Sequence, residues 1–344
     1  MKSGLVYDPI YLEHNTGEHP ENASRLISIM SHLKQTGIEK AITSLQPCIA
    51  SEKEIEMVHS RRYIAKLINT VETGGGWLDP DTFVCPKSYE AALYAAGGLL
   101  TALKAVWNNE VNNAFALVRP PGHHAVNKHS MGFCLLNNIA IAAKFALDNL
   151  DIDRILIVDF DVHHGNGTQD TFYNDPRVLY FSTHQYPFFP GSGSVNEIGE
   201  EQGKGFTVNF PMRAGWGDQE YSRIYNEILI PIARRFQPQL ILVSAGFDAH
   251  WADKLAMMQS SISGFAHIIT ILRDLATELC NGRLILTLEG GYNLQVIAFS
   301  VESTFNILLG NHKINDPLGK APSEYHDGFE ETLINVKKIH DLEK

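Results

Sequence analysis

The sequence predicts an α/β fold, a central, mostly parallel sheet with helices on both faces. Three observations predict it. Four short apolar runs, at 115–118, 155–158, 240–245 and 284–288, each stop abruptly at polar or ionisable residues. Buried parallel strands read this way, because both faces are covered and the carboxyl ends open on a crevice. Strand-like runs alternate with helix-like ones, as βαβ units require. No Pro/Ser/Gly linker, internal repeat or low-complexity tract divides the chain, so a single domain over 1–344 is expected.

The helices follow in order. Ser88 to Trp107 reads as a helix despite Gly97-Gly98, and Leu136 to Leu147 as another. Asp218 is placed to cap a helix running to Phe236, with Pro231 a kink or break. Ser263 to Cys280 carries apolar residues at 265, 268, 269, 272, 275 and 279 and stops at Asn281-Gly282. Gln295 to Leu309 is a further candidate, and Glu330 to Lys344 reads as an amphipathic helix packed on the domain. Tyr11–Glu21, Val71–Lys87, Tyr186–Gly205 and Ala249–Ser261 carry turn residues and little periodicity, so they are expected to be loops that shape a site.

Composition narrows the function. The 344 residues, 44% of them hydrophobic, suffice for a large core, and the net charge of -11 argues against nucleic acid as a partner, since phosphate contacts need a basic surface. Cysteines 48, 85, 134 and 280 form no C-x-x-C pair, and the first residues have neither an h-region nor a cleavage site. The most apolar stretch, Ala91 to Val106, contains Lys104 and is too short to span a bilayer. A cytoplasmic enzyme without a membrane partner is expected.

The strand ends carry the chemistry. The run Ile155–Val158 continues into Asp159-Phe160-Asp161-Val162-His163-His164-Gly165-Asn166. Asp161 and His163 are two apart and would point the same way on an extended strand. Such a pair alone more often only satisfies hydrogen bonds. Asp248, at the end of the 240–245 run, adds a third ligand, and three protein ligands leave a catalytic metal one open position. Two carboxylates and one imidazole suit zinc, and Fe(II) or Co(II) also fit. His123-His124, after Pro120-Pro121-Gly122, offers imidazoles for acid–base work, with Asp159 and Asn166 the natural partners of their far nitrogens. Tyr292, after Gly290-Gly291, offers a phenol to a carbonyl oxygen that becomes an oxyanion. Together these specify metal-assisted hydrolysis of a carbonyl compound, amide or ester.

Arg119-Pro-Pro-Gly-His-His-Ala125, Asp159–Gln169, Ala245-Gly-Phe-Asp248 and Glu289-Gly-Gly-Tyr292 resemble the signature blocks of the zinc-dependent histone deacetylase family, most of all its class II and prokaryotic members, including acetylpolyamine amidohydrolases. His14–Glu21 and Arg25 match its N-terminal block. The resemblance spans about 7–309, leaving a C-terminal helical extension at about 310–344, and implies the single-domain arginase–deacetylase fold. It implies one Zn2+ per chain on Asp161, His163 and Asp248, with His124 the general base and acid, His123 its electrostatic companion paired with Asp159, and Tyr292 the residue polarising the acetyl carbonyl. It implies a structural K+ near Asp159, Asp161, His163, Ser182 and Thr183. Gly132, Phe133, Phe189 and Gly290 match the walls of the acetyl-lysine tunnel, and Arg25 an arginine below the metal. Asn166 stands where class I members place an aspartate. Leu255 falls at the rim position where a polyamine-selective member carries glutamate, and Lys254 replaces a common proline.

The implied partners are acetylated lysine in a peptide or protein, or an acetylated small amine, and an oligomer is compatible with them. Three functions follow as expectations: an amidohydrolase removing acetyl groups from lysine side chains, with an acetylpolyamine amidohydrolase as its variant; a two-manganese ureohydrolase of the same fold; and a non-catalytic acyl-lysine binding module. The ureohydrolase lacks its second set of ligands, since His164-Gly165 follows His163 and His250 follows Ala249. An intact Tyr292 and His123-His124 speak against the binding module.

Overall fold

The computed structural model describes residues 1–323 and 325–343. Its strands are β1 (Ser3–Val6), β2 (Thr43–Leu45), β3 (Gly76–Trp77), β4 (Phe83–Val84), β5 (Asn113–Ala116), β6 (Ile155–Asp159), β7 (Val178–Gln185), β8 (Thr207–Met212), β9 (Leu240–Ala245) and β10 (Leu284–Leu288). Eight of them form one sheet in the order β2-β1-β5-β10-β9-β6-β7-β8, and β3 pairs with β4 in a small antiparallel hairpin. The helices are α1 (Ser24–Thr36), α2 (Glu52–Ile55), α3 (Arg61–Glu72), α4 (Ser88–Trp107), α5 (Asn138–Asn149), α6 (Asn166–Phe172), α7 (Asp218–Ile224), α8 (Ile230–Phe236), α9 (Ile262–Leu279), α10 (Leu294–Leu308) and α11 (Phe329–Ile339).

Every pairing described in the large sheet is parallel, so the expected "mostly parallel" sheet is wholly so. The four predicted runs are β5, β10, β9 and β6, and they are consecutive neighbours at the centre. Their side chains are buried along their whole length, which a sheet covered by helices requires. Around the sheet α4 packs on α5, and α1, α10, α9 and α7 pack in succession. No described helix is long and apolar enough to cross a membrane.

The predicted helices form with local differences. Asp218 is not the cap; Gly217 occupies that position, and Asp218 instead accepts hydrogen bonds from the Ser261 N–H (2.8 Å) and Oγ (2.6 Å). Pro231 does not break its helix. The chain passes through a π-helical turn at Tyr225–Leu229, and Ile230 N–H reaches back five residues to Tyr225 O. Widening the turn ahead of a proline relieves the clash of its ring with the preceding turn. The terminal helix stops at Ile339, and Lys344, the end of the predicted span, lies outside the described residues. Of the predicted loops, Val71–Lys87 holds the end of α3 and the β3–β4 hairpin.

Gly97-Gly98 sits in the middle of α4 for a packing reason. A Cβ on Gly97 would stand 1.9 Å from Cys48 O and 2.6 Å from Ala50 N, so the 48–50 segment lies directly on the helix backbone. Ala50 N–H donates to Leu93 O there at 3.0 Å. Helix propensity alone favours alanine over glycine by about 1 kcal/mol. Backbone contact this close must override it, so Gly97→Ala is expected to destabilise the fold by about 1–3 kcal/mol, the cost of overpacking. Urea unfolding measures the sign; a variant more stable than the parent would contradict the packing account.

Candidate active site

The central strand ends bring the predicted residues together. Asp161 and His163 do not lie on an extended strand, because β6 ends at Asp159 and both occupy the turn beyond it. They converge through local hydrogen bonds instead. Asp159 Oδ1 accepts the Asp161 N–H (3.2 Å), and Asp161 Oδ1 accepts the His163 N–H (2.9 Å) and lies 3.1 Å from His163 Nδ1. Asp248 Oδ1 accepts the Val162 N–H at 3.0 Å, and its Oδ2 stands 3.2 Å from His163 Nδ1. Ligand atoms of the three residues lie within 4.8 Å of one another.

These residues fit a metal. Asp248 Oδ2 is buried with only the His163 ring, 3.2 Å away, to compensate it, and a cation shared by the two would relieve that condition. Two glycines make the convergence sterically feasible: a Cβ on Gly246 would meet Asp161 Oδ2 at 2.1 Å, and one on Gly290 would meet Asp248 Oδ2 at 2.1 Å. Burial and the charge of Asp161 push the Asp248 carboxyl up to about 6. Burial opposes a charge on His163, but Asp161 and Asp248 outweigh it and hold the imidazole up at about 10. The trio therefore draws positive charge to one point, and its donor set of two oxygens and one nitrogen suits a divalent ion.

The histidine pair stands beside it with ring centroids 4.0 Å apart. His123 Nδ1 lies 3.0 Å from Asp159 Oδ2, and His124 Nδ1 lies 2.9 Å from Asn166 Oδ1, the two partners expected from sequence. The environments separate their charges. Burial works against protonating His123, but Asp159, Asp161 and Glu289 prevail and hold it up at about 10. Burial, then the neighbouring His123 and His163, push His124 well below the usual histidine range. Asn166 is anchored through its amide nitrogen, which lies 3.4 Å from His124 O and 3.3 Å from Met131 Sδ. Its oxygen thus faces His124, which donates from Nδ1 and keeps Nε2 bare.

Tyr292 closes the group. Burial and Asp248 raise its phenol well above the usual range, so it stays a donor. The Arg25 guanidinium stands 5.1 Å from the centre of its ring. Arg25 itself is buried, donating to Gly291 O (2.7 Å) and Glu289 O (2.5 Å). A cavity of about 240 Å³ opens above, lined by His123, His124, Gly132, Phe133, His163, Phe189, Leu255, Gly290 and Tyr292 among others. All four expected wall residues and Leu255, expected at the rim, are in that lining. Ser182 pairs in register with Asp159 across β6 and β7, and the next residue, Thr183, has a buried hydroxyl without a hydrogen-bond partner.

Several supporting residues were not anticipated. Glu289 accepts the N–H groups of Gly122 (2.7 Å) and His123 (3.2 Å) and the Ser244 hydroxyl (2.9 Å), tying three strand ends together. Its place before Gly290-Gly291 was a readable signal. Asp253 accepts the N–H groups of Tyr292 (2.7 Å) and Asn293 (3.0 Å), and nothing in its loop sequence marks it. Glu21 bridges two buried arginines, Arg119 (2.5 and 2.9 Å) and Arg25 (3.1 Å). Burial opposes the Glu21 charge, but Arg119 holds its carboxyl below the usual range.

Comparisons with known proteins bear on the chain as a whole. Residues 19–308 match the family model described as "Histone deacetylase domain". A "Probable deacetylase" of Archaeoglobus fulgidus is 41% identical over 298 residues, covering 86% of this chain and 82% of that protein. "Histone deacetylase 10, chloroplastic" of Oryza sativa subsp. japonica is 37% identical over 354 residues, covering 96% and 79%. The solved "HDA15 HD domain" superposes with a TM-score of 0.90 at 34% identity, covering 98% of this chain and 94% of that one.

Removing Glu21 would leave two buried guanidinium groups without a counter-charge. Breaking a buried pair in this way costs about 3–5 kcal/mol. Glu21→Gln is therefore expected to lose stability on that scale in urea unfolding, and a loss under 1 kcal/mol, the range of an exposed pair, would mean that the cluster is solvated.

Proposed function

The chain belongs to the histone deacetylase family and has its parallel α/β fold, and on that premise we propose that it hydrolyses the amide of an acetylated lysine side chain or a related acylated amine. One observation carries the reading. One cavity is lined by His124, Tyr292 and His163, and the ligand atoms of Asp161 and Asp248 lie within 4.8 Å of that of His163.

Asp161, His163 and Asp248 would hold the metal. Zinc is the ion we favour, with iron(II) or cobalt(II) compatible with the donors. When bound, it supplies Lewis-acid polarisation of the carbonyl and a more acidic water. The protein does the rest. His124, neutral and bare at Nε2, takes the proton from the attacking water, with Asn166 fixing its orientation. His123, held charged by Asp159, raises the local electrostatic potential and so stabilises developing negative charge without exchanging its proton. The Tyr292 hydroxyl donates to the carbonyl oxygen as it becomes an oxyanion. His124 then returns its proton to the leaving amine nitrogen as the C–N bond breaks, and the amine takes up the acid's remaining proton, so that the ammonium and the carboxylate are released. Gly132, Phe133, Phe189 and Gly290 exclude water along the acyl chain. The Asp159–Ser182 register pair and Thr183, with Asp161 and His163, would hold a monovalent ion such as K+ behind the site.

Leu255 is part of the cavity lining; taken as its rim, an apolar residue there suits a neutral peptide backbone better than the distant ammonium of a polyamine. Lysine in a peptide or protein is the substrate we favour. The four cysteines are all free, consistent with a reducing compartment such as the cytoplasm.

Three outcomes follow. The purified protein binds one divalent ion per chain, and Asp248→Asn reduces that content in elemental analysis; two ions of equal occupancy would favour the ureohydrolase. Tyr292→Phe remains folded and loses about 10²–10³ in kcat, the cost of one oxyanion donor, whereas near-parental turnover would remove Tyr292 from its role. The parent hydrolyses an acetyl-lysine peptide more efficiently than acetylspermidine, and Leu255→Glu shifts the kcat/KM ratio toward acetylspermidine by a few-fold at low salt, equivalent to about 0.2–1 kcal/mol for a rim ion pair. A strong parental preference for acetylspermidine would overturn the protein-lysine reading.

A further inference from the structure

One wall of the cavity is built on unfavourable backbone. Gly132 and Phe133 have φ of +55° and +69°, and Cys134 N–H closes the turn onto Met131 O at 3.0 Å. Two successive positive φ values are the signature of a type I′ turn, in which glycine is comfortable and phenylalanine is not. A side chain at Gly132 is excluded in any case, since its Cβ would stand 2.3 Å from His124 Cδ2. The strained residue is the one that forms the wall: the Phe133 ring meets Tyr292 edge-on at 6.0 Å and His19 at 4.4 Å. A conformation of this kind persists only where its surroundings over-determine it.

Those surroundings come from the β3–β4 hairpin. Gly132 N–H donates to Asp81 Oδ1 (3.2 Å), and Phe133 N–H donates to Thr82 Oγ1 (3.1 Å). The Thr82 hydroxyl in turn donates to Asp81 Oδ1 (3.0 Å), so it is fully used as donor and acceptor. The corner is itself braced, because Asp79 Oδ1 accepts the N–H groups of Asp81 (3.0 Å) and Thr82 (2.7 Å). Thr82 is 1% exposed, so water has no ready access to replace it.

We propose that Thr82 is a positioning residue that pins the Gly132–Phe133 turn and thereby sets the size of acyl group the cavity accepts. The second half rests on reading this cavity as an acyl-lysine site. Without the hydroxyl, the Phe133 N–H loses its acceptor and the turn is free to relax toward negative φ. The Phe133 ring then moves off Tyr292, and an acyl chain longer than acetyl gains room.

Thr82→Val keeps the shape and removes the hydroxyl, and Thr82→Ser keeps the hydroxyl. In Thr82→Val, exchange of the Phe133 amide is expected to be roughly tenfold faster, the loss of about one hydrogen bond. The butyryl-to-acetyl ratio of kcat/KM on one lysine peptide is expected to rise on the order of tenfold, the lower end of what a fitted pocket discriminates. KM for the acetyl peptide should rise more than kcat falls, and Thr82→Ser should restore the parental ratio. Thr82→Ala carries the same test should Thr82→Val not fold. Unchanged exchange at Phe133 would overturn the clamp, and faster exchange with an unchanged acyl ratio would overturn its role in selectivity. A parent inert toward both peptides would overturn the proposed function and the selectivity claim with it, while the exchange comparison would still decide whether Thr82 holds the turn.

Discussion

Two buried carboxylates forced to face each other are the constraint around which the molecule is arranged. Asp161 and Asp248 lie just beyond the ends of the adjacent strands β6 and β9, and Gly246 and Gly290 let their oxygens approach where a Cβ would collide with them. Like charges at this distance repel strongly in a medium of low polarity. The charged His123 at one side and a charged His163 between them answer that repulsion, and a divalent ion bound by the trio would take over the role of the His163 proton. His124 is held neutral first by its burial and then by His123 and His163, the cations that offset the carboxylates and are its own neighbours.

A second charged layer lies beneath the first. Glu21, Arg25 and Arg119 are all buried, and each is bonded to backbone carbonyls or to another member of the cluster. Arg25 joins the layers, reaching the Glu289 and Gly291 carbonyls and standing against the Tyr292 ring. The backbone next to the tyrosine is thus held by Arg25, 266 positions from Gly291 in sequence. Hydrogen bonds to backbone carbonyls, which cannot rotate away, make such a joint stiff.

Much of this was legible in the residues. The strands β5, β10, β9 and β6 announce themselves because central parallel strands are apolar without alternation and end in ionisable groups. The partners of His123 and His124 could be named because each imidazole in a buried site needs its far nitrogen satisfied. The outer strands were harder. Thr207–Met212 mixes Asn209 and Pro211 into its run, and Ser182-Thr183-His184-Gln185 is polar because its end borders the site rather than the core. The Asp161–His163 geometry was anticipated for the wrong reason, since hydrogen bonds in a turn bring the pair together and not strand alternation. Asp253 and Thr82 gave no signal at all. They act on backbone amides of distant segments, and such pairings exist only in three dimensions.

The placement of β10 has a consequence for how the chain is made. This strand begins at Leu284, yet it lies between β5 and β9 in the middle of the sheet. Until it leaves the ribosome, the two strands that will flank it have no partner on their facing edges. Exposed apolar edges of that kind invite pairing with other chains. Between the synthesis of β9 and that of β10 the sheet therefore has a gap through its centre, and the insertion of one short strand completes it and delivers Glu289 and Tyr292 in the same step. Fold and chemistry become competent together, late, and only in a chain elongated past Tyr292.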